Sequence, residues 1–215
     1  MQYELIIFDL DGTILNTLED LHGSIQHALT LSSFPTRSLE EVRSFVGNGI
    51  RRLVERSVPD SCCSEESEQV YLDFMAHYRI HCADHTRPYE GITEVLRRLR
   101  SSGCQTAVVS NKADSAAGKL CQTYFPDLFD FVLGEREGLP GKPDPTPIHL
   151  VLKELGVSKE KAIYIGDSEV DIATAENAGI DAFYVDWGFR SAAWLKAHGA
   201  DIILSSPLEI LDRLE

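Results

Sequence analysis

Leu5-Ile6-Ile7-Phe8-Asp9-Leu10-Asp11-Gly12-Thr13 joins an apolar run to two carboxylates one residue apart, followed by a glycine and a hydroxyl. The run has the length and composition of a strand buried in a parallel sheet, and the acids fall where that strand would end. Open α/β sheets bind ligands at the carboxyl ends of their strands. Alternation along an extended chain points Asp9 and Asp11 to one side and Leu10 to the other, so two like charges share a space and need a cation beside them. A magnesium ion and an anionic substrate would meet that need.

Outward from this stretch the pattern changes twice. Helical spacing of Leu18, Leu21, Ile25 and Leu29 predicts a helix over 16–31, and further helices are predicted from Ser38 to Phe45, from after Gly49 to about Ser57 and over about 65–83. The last of these should bury Val70, Phe74, Met75 and Tyr78. Strict alternation follows, with helices over 91–101, 113–124, 146–155 and 169–178, and strands over 104–110, 129–133, 161–165 and 182–185. A short helix from Ser191, a strand over 201–204 and a helix from Pro207 close the chain. Alternation of this kind predicts an α/β fold, a doubly wound parallel sheet covered by helices on both faces. The expected domains are a catalytic core of residues 1–15 and 86–215, and an inserted α-helical cap of residues 16–85.

With 215 residues and 43% hydrophobic content, the chain can bury one full core plus an insertion. A formal net charge of -14 argues against a surface for nucleic acid or anionic membrane, which clustered Lys and Arg would hold. No stretch approaches the roughly 20 apolar residues of a membrane span, and no secretory leader is visible, so a cytoplasmic protein is expected, as a monomer or weak homodimer. The five cysteines, Cys62, Cys63, Cys82, Cys104 and Cys121, lack the paired spacing of a zinc site and read as reduced thiols.

Polar residues recur at four strand ends. Asp9 and Asp11 end the first, Ser110-Asn111-Lys112 the second, Lys142-Pro143 follow the third, and Gly166-Asp167 end the fourth, with Asp171 one helical turn on. Alone, each aspartate reads as a helix cap or turn former. Together, at one sheet edge and in this order, they resemble the phosphatases of the haloacid dehalogenase superfamily along the whole chain. The resemblance implies an aspartyl-phosphate mechanism. Asp9 is then the nucleophile, and Asp11 moves protons to the leaving oxygen and from the attacking water. Amides of Gly12 and Thr13, the Ser110 hydroxyl, the Asn111 backbone and the Lys142 charge would bind the phosphoryl group. Mg²⁺ would be held by the Asp9 side chain, the Asp11 carbonyl and Asp167, with Asp171 bracing the site through water or Lys142.

The segment Gly47-Asn48-Gly49-Ile50-Arg51-Arg52 is similar to the cap of phosphoglycolate phosphatases, in which a glycine-rich turn opens a helix over the active site. A helix N-terminus with Arg51 or Arg52 nearby could hold a second anionic group such as a carboxylate. A small phosphorylated metabolite is therefore the expected substrate, 2-phosphoglycolate first. Inorganic pyrophosphate, a sugar phosphate, a phosphomutase reaction and a catalytically idle phosphate- or partner-binding module are the alternatives. Asn16 is expected at the cap hinge, His22 and His77 as helix-surface or cap-packing residues, and Trp187-Gly188-Phe189-Arg190 as aromatic packing beneath a loop, with a border of the pocket as the alternative.

Overall fold

The computed structural model describes residues 2–214. Four consecutive apolar residues with no exposed surface form β1 (Leu5–Phe8). After the turn at Gly12 come a short β2 (Leu15–Asn16) and four helices, α1 (Leu18–Leu31), α2 (Leu39–Phe45), α3 (Gly49–Ser57) and α4 (Ser64–His81). The chain continues through β3 (Arg87–Pro88), α5 (Ile92–Ser101), β4 (Gln105–Ala113), α6 (Asp114–Tyr124) and β5 (Phe131–Glu135). It finishes with α7 (Thr146–Leu155), β6 (Ala162–Gly166), α8 (Glu169–Ala178), β7 (Asp181–Val185), α9 (Ala192–Ala197), β8 (Ile203–Leu204) and α10 (Glu209–Leu214).

Two compact units result, one of Met1–Leu15 with Pro88–Glu215 and one of Asn16–Arg87. The first holds a six-stranded parallel sheet in the order β5-β4-β1-β6-β7-β8, flanked by helices. Phe8 at the end of β1 lies level with Ile165, one residue before the end of β6, and with Val108 of β4, which runs on to Ala113. Alternation puts Leu5, Ile7, Ala107, Val109, Ala162 and Tyr164 in a single buried cluster, where they meet Ile148, Val151 and Leu152 of α7 and Ala175 and Ala178 of α8.

In the second unit α1 packs on α4, burying Leu21, Ile25 and Leu29 with Val70, Phe74 and Tyr78; Met75 is only half-buried, not a core residue. Asp20 closes this unit on itself. Its buried carboxylate accepts hydrogen bonds from the amides of His85 (2.9 Å) and Thr86 (2.8 Å) and from the Thr86 hydroxyl (2.7 Å). The helix predicted from Asn16 begins two residues later, because the Asn16 side chain accepts from the Leu18 amide at 3.3 Å while its backbone extends into β2. All five cysteines are free thiols.

Candidate active site

The turn after β1 shapes the site first. Gly12 has φ +89°, a left-handed conformation that favours glycine, and its amide donates to the Leu15 carbonyl at 2.9 Å. That amide is therefore committed within the turn and does not face an anion as expected from sequence. What Gly12 contributes is space. A Cβ there would stand 2.3 Å from Asp167 Oδ2, so the carboxylate at the end of β6 lies directly on the glycine.

Asp9, Asp167 and Asp171 are buried, with carboxylate oxygens within 4.8 Å of one another. Facing them is Lys142, whose ammonium is 2.7 Å from Asp9 Oδ1, 2.8 Å from Asp171 Oδ1 and 2.8 Å from the Tyr164 hydroxyl. Three donor hydrogens thus meet three acceptors. Tyr164 passes its own hydrogen to Asp171 Oδ1 at 2.7 Å. The Lys142-Pro143 peptide is cis.

Asp171 is fully committed. Its Oδ2 accepts from the amides of Asp167 (3.1 Å) and Ser168 (3.0 Å) and from the Ser168 hydroxyl (2.7 Å), a capping box at the start of α8. Burial pushes its pKa up, but the Lys142 charge and the bonds from Lys142, Ser168 and Tyr164 outweigh that, and the carboxyl lies below the usual range. Gly166 makes room, since a Cβ there would meet the Asp171 carboxyl at 2.3 Å.

Asp9 and Asp167 differ in kind. Burial, opposed by Lys142 and aided by the Asp171 charge, pushes Asp9 up to about 7. Burial and the charges of Asp171 and Asp9 push Asp167 well above the carboxylate range. Asp9 and Asp171 share the Lys142 ammonium, Asp167 feels only the more distant charge of Arg190, and Lys112 is taken up by the Asp11 carboxylate. Such a deficit of positive charge in a low-dielectric pocket disfavours ionisation, and a cation removes it. The donor set fits Mg²⁺: hard carboxylate oxygens, few in number. Asp167 keeps coordinating capacity, with one bond from Thr13 Oγ1 to Oδ1 (3.3 Å) and one from the Phe189 amide to Oδ2 (2.6 Å).

That Phe189 contact belongs to the segment for which the sequence offered packing first and a border of the pocket second. Trp187 Nε1 donates to the Thr13 carbonyl at 3.0 Å, and a Cβ on Gly188 would stand 2.4 Å from both Asp167 Oδ2 and the Gly12 carbonyl. Arg190 fastens the segment to α8 by a fork onto Glu169, with bonds of 2.9 and 3.2 Å. The Trp-Gly pair two residues beyond a strand was the available signal, because glycine allows close backbone approach. Tyr164 left none, being indistinguishable from any aromatic in a buried strand.

The remaining predicted residues are placed as follows. Ser110 is buried and its Oγ accepts from the Lys112 amide at 3.2 Å. Asn111 donates from Nδ2 to the Lys142 carbonyl at 3.0 Å, bracing the lysine loop. In the helical unit, Gly47 and Gly49 have φ of +128° and +81°, and Asn48 precedes α3 without a side-chain cap bond. Arg51 binds Glu68 (2.6 and 3.3 Å) and lies 4.0 Å above the Tyr71 ring, and Arg52 binds Glu55 at 2.7 Å. Both arginines are exposed and engaged by acids of their own unit. His22 Nε2 lies 3.0 Å from the Arg37 carbonyl, and His77 Nδ1 3.0 Å from Ser24 Oγ.

Among the described residues, no helix is long and apolar enough to cross a membrane. Comparison with known proteins places this geometry. The chain is 31% identical over 217 residues to the N-acetylmuramic acid 6-phosphate phosphatase of Pseudomonas aeruginosa, covering all of this chain and 96% of that one. It is 34% identical over 195 residues to a phosphoglycolate phosphatase of Cereibacter sphaeroides, covering 87% of each. A crystal structure of a provisionally named phosphoglycolate phosphatase from Lactobacillus delbrueckii subsp. bulgaricus superposes with a TM-score of 0.95 at 34% identity, over 100% of this chain and 99% of that one. Residues 6–185 match the profile of the haloacid dehalogenase-like hydrolases, and the chain belongs to that family.

Proposed function

We propose that this protein is a Mg²⁺-dependent phosphomonoester hydrolase that works through an aspartyl-phosphate on Asp9, with 2-phosphoglycolate as its first candidate substrate. The observation that carries the reading is the cluster of three buried carboxylates, Asp9, Asp167 and Asp171, two of which hold the ammonium of Lys142. Such a site is short of positive charge and open to an anion that arrives with a cation.

Asp9 attacks phosphorus, and the ester oxygen leaves with a proton from Asp11; Asp11 then takes a proton from water, which cleaves the acyl phosphate and regenerates Asp9. Lys142, held on Asp9 Oδ1, places positive charge where the transferring group gathers negative charge. Ser110 Oγ accepts from Lys112, which leaves its hydrogen for a phosphoryl oxygen. The Asp9 and Asp167 side chains and the Asp11 carbonyl would hold Mg²⁺, and Asp171 sets Lys142 and the Asp167 backbone in place. Bound there, the ion offsets the negative charge of substrate phosphate.

A sugar phosphate is the second reading, favoured by the full-length match to an N-acetylmuramic acid 6-phosphate phosphatase and by the engagement of Arg51 and Arg52 with Glu68 and Glu55, which a substrate carboxylate would have to displace. We place the enzyme in the cytoplasm as a monomer or weak homodimer. Phosphate release from p-nitrophenyl phosphate with Mg²⁺ tests the activity, and 2-phosphoglycolate and N-acetylmuramic acid 6-phosphate tested side by side decide the substrate class. Absence of activity, or equal activity in Asp9→Asn, overturns the enzyme reading.

A further inference from the structure

Lys112 is a buried cation to which the scheme above gives no task. Its side chain is 1% exposed, and its Nζ lies 3.0 and 3.3 Å from the two carboxylate oxygens of Asp11. Burying an ammonium costs several kcal/mol, on the order of what only a well-placed anion offsets. The Asp11 carboxyl group is the partner placed against it, and the two residues are 101 positions apart.

The backbone is shaped to bring them together. β4 and β5 pair at Val109 with Leu133 and next at Ala113 with Glu135, so Ser110, Asn111 and Lys112 stand opposite Gly134 alone. The surplus residues bulge out of the ladder, a device that re-aims side chains beside functional sites. Gly134 permits it: a Cβ there would lie 2.5 Å from the Lys112 carbonyl oxygen and from Asp114 Cα. Bonds from the Lys112 amide to Ser110 Oγ (3.2 Å) and from the Gly134 amide to Asp114 Oδ1 (2.8 Å) hold the bulge on both sides.

We propose that Lys112 is the positioning residue for Asp11, fixing the orientation of its carboxylate through contact with both oxygens so that the proton-transfer group is aimed before substrate arrives. This rests on reading Asp11 as that group. Proton transfer needs the carboxyl within hydrogen-bond reach of the leaving oxygen, and a displacement of about 1 Å in an active site can cost roughly 10²-fold in rate. Lys112 acts at that step and not on the phosphoryl group.

Leaving-group dependence tests this, because a good leaving group needs little help from an acid. Lys112→Met, Asp11→Asn and the double variant are assayed with p-nitrophenyl phosphate and with β-glycerophosphate, an alkyl ester. Lys112→Met should lower kcat on the alkyl ester about 10-fold more than on the aryl ester, Lys112→Arg should restore part of the loss, and Lys112→Met should add no further selectivity in the Asp11→Asn background. Equal losses on the two esters, or the same added selectivity without Asp11, overturn the proposal. Selectivity in Asp11→Asn but not in Lys112→Met removes Lys112 alone; its absence in Asp11→Asn removes the reading of Asp11 and the proposal with it. Lys112→Gln replaces Lys112→Met if the latter does not fold. A metal-free crystal structure of the folded variant gives a readout apart from activity: Asp11 should occupy other rotamers, and an unchanged Asp11 overturns the proposal.

Discussion

Lys142 Nζ donates to Asp171 Oδ1 at 2.8 Å, and Asp171 is the most thoroughly hydrogen-bonded acid of the site. A carboxylate that already accepts from lysine, tyrosine, serine and two amides has little capacity left for a metal ion. Asp171→Asn should therefore lower kcat and cost about 3–5 kcal/mol of stability, the usual penalty for breaking a buried ion pair. Its half-saturating Mg²⁺ concentration should rise much less than that of Asp167→Asn. Denaturant unfolding and Mg²⁺ titration of the two variants check this, and a larger metal effect at Asp171 would make it a ligand.

Asp167→Asn should raise the Mg²⁺ requirement by about 10–100-fold or more, since even indirect partners of metal ligands commonly cost that much. Isothermal titration with Mg²⁺ checks this without turnover. Unchanged binding would take Asp167 out of the metal site.

Gly188→Ala should impair the site although glycine and alanine differ by one methyl. The added carbon would stand 2.4 Å from the Gly12 carbonyl and from Asp167 Oδ2, so the turn after β1 or the Asp167 carboxylate must move. Overpacking of this kind costs about 1–3 kcal/mol in stability. The kinetic loss should be larger than Gly23→Ala shows, because a Cβ on that exposed helical glycine meets nothing within 4 Å. Equal kcat values for the two variants would refute it.

If a substrate carboxylate is read by the helical unit, Arg51→Ala with Arg52→Ala should raise KM for 2-phosphoglycolate well above any change for p-nitrophenyl phosphate. The ion pairs with Glu68 and Glu55 are exposed, so the double variant should keep its stability within about 1 kcal/mol. Parallel KM changes on the two substrates would assign these arginines to the surface alone.

The helical unit carries a pH dependence of its own. Burial, then the neighbouring rings of His27 and His81, hold the His77 pKa below the ordinary 6.5, against the pull of Asp84. The rings stack at 4.3 and 4.2 Å, Ser24 Oγ lies 3.0 Å from Nδ1, and Glu19, Asp20 and His85 line the same cleft. A base whose folded pKa is depressed favours the fold in its neutral form, so this stabilisation is complete above about pH 6.5 and is lost as pH falls through the folded value. Melting temperatures at pH 7.5 and 5.5 should drop less in His77→Gln than in the parent chain. An equally steep drop would show that His77 does not carry the effect.

Much of the fold could be read from residues 5–8 and from the alternation after residue 90, because buried parallel strands and amphipathic helices have periods that survive in one dimension. The helices Thr146–Leu155 and Glu169–Ala178 begin and end where expected, each closed by a glycine with left-handed φ, Gly156 at 68° and Gly179 at 63°. The two-residue strands β2 and β3 carry no periodicity and were not visible, whereas the equally short β8 lies within the strand expected over 201–204. For the site, Asp9, Ser110 and Asp167 could be found as polar residues at strand ends. The use of the Gly12 amide inside its own turn could not, and the Trp187-Gly188 pair signalled a close approach without naming Asp167 as the group it meets.

The sequence by itself therefore determined the sheet, the position of the acids along it, and the class of chemistry those acids can perform. Only the tertiary structure decided how the charges are apportioned: Lys142 to Asp9 and Asp171, Lys112 to Asp11, and Asp167 left with coordinating capacity. The reason is physical. Local pattern reports which face of an element is buried, whereas an ion pair across 101 residues depends on a bulge, with a glycine opposite it, that carries Lys112 Nζ to 3.0 Å from Asp11 Oδ1.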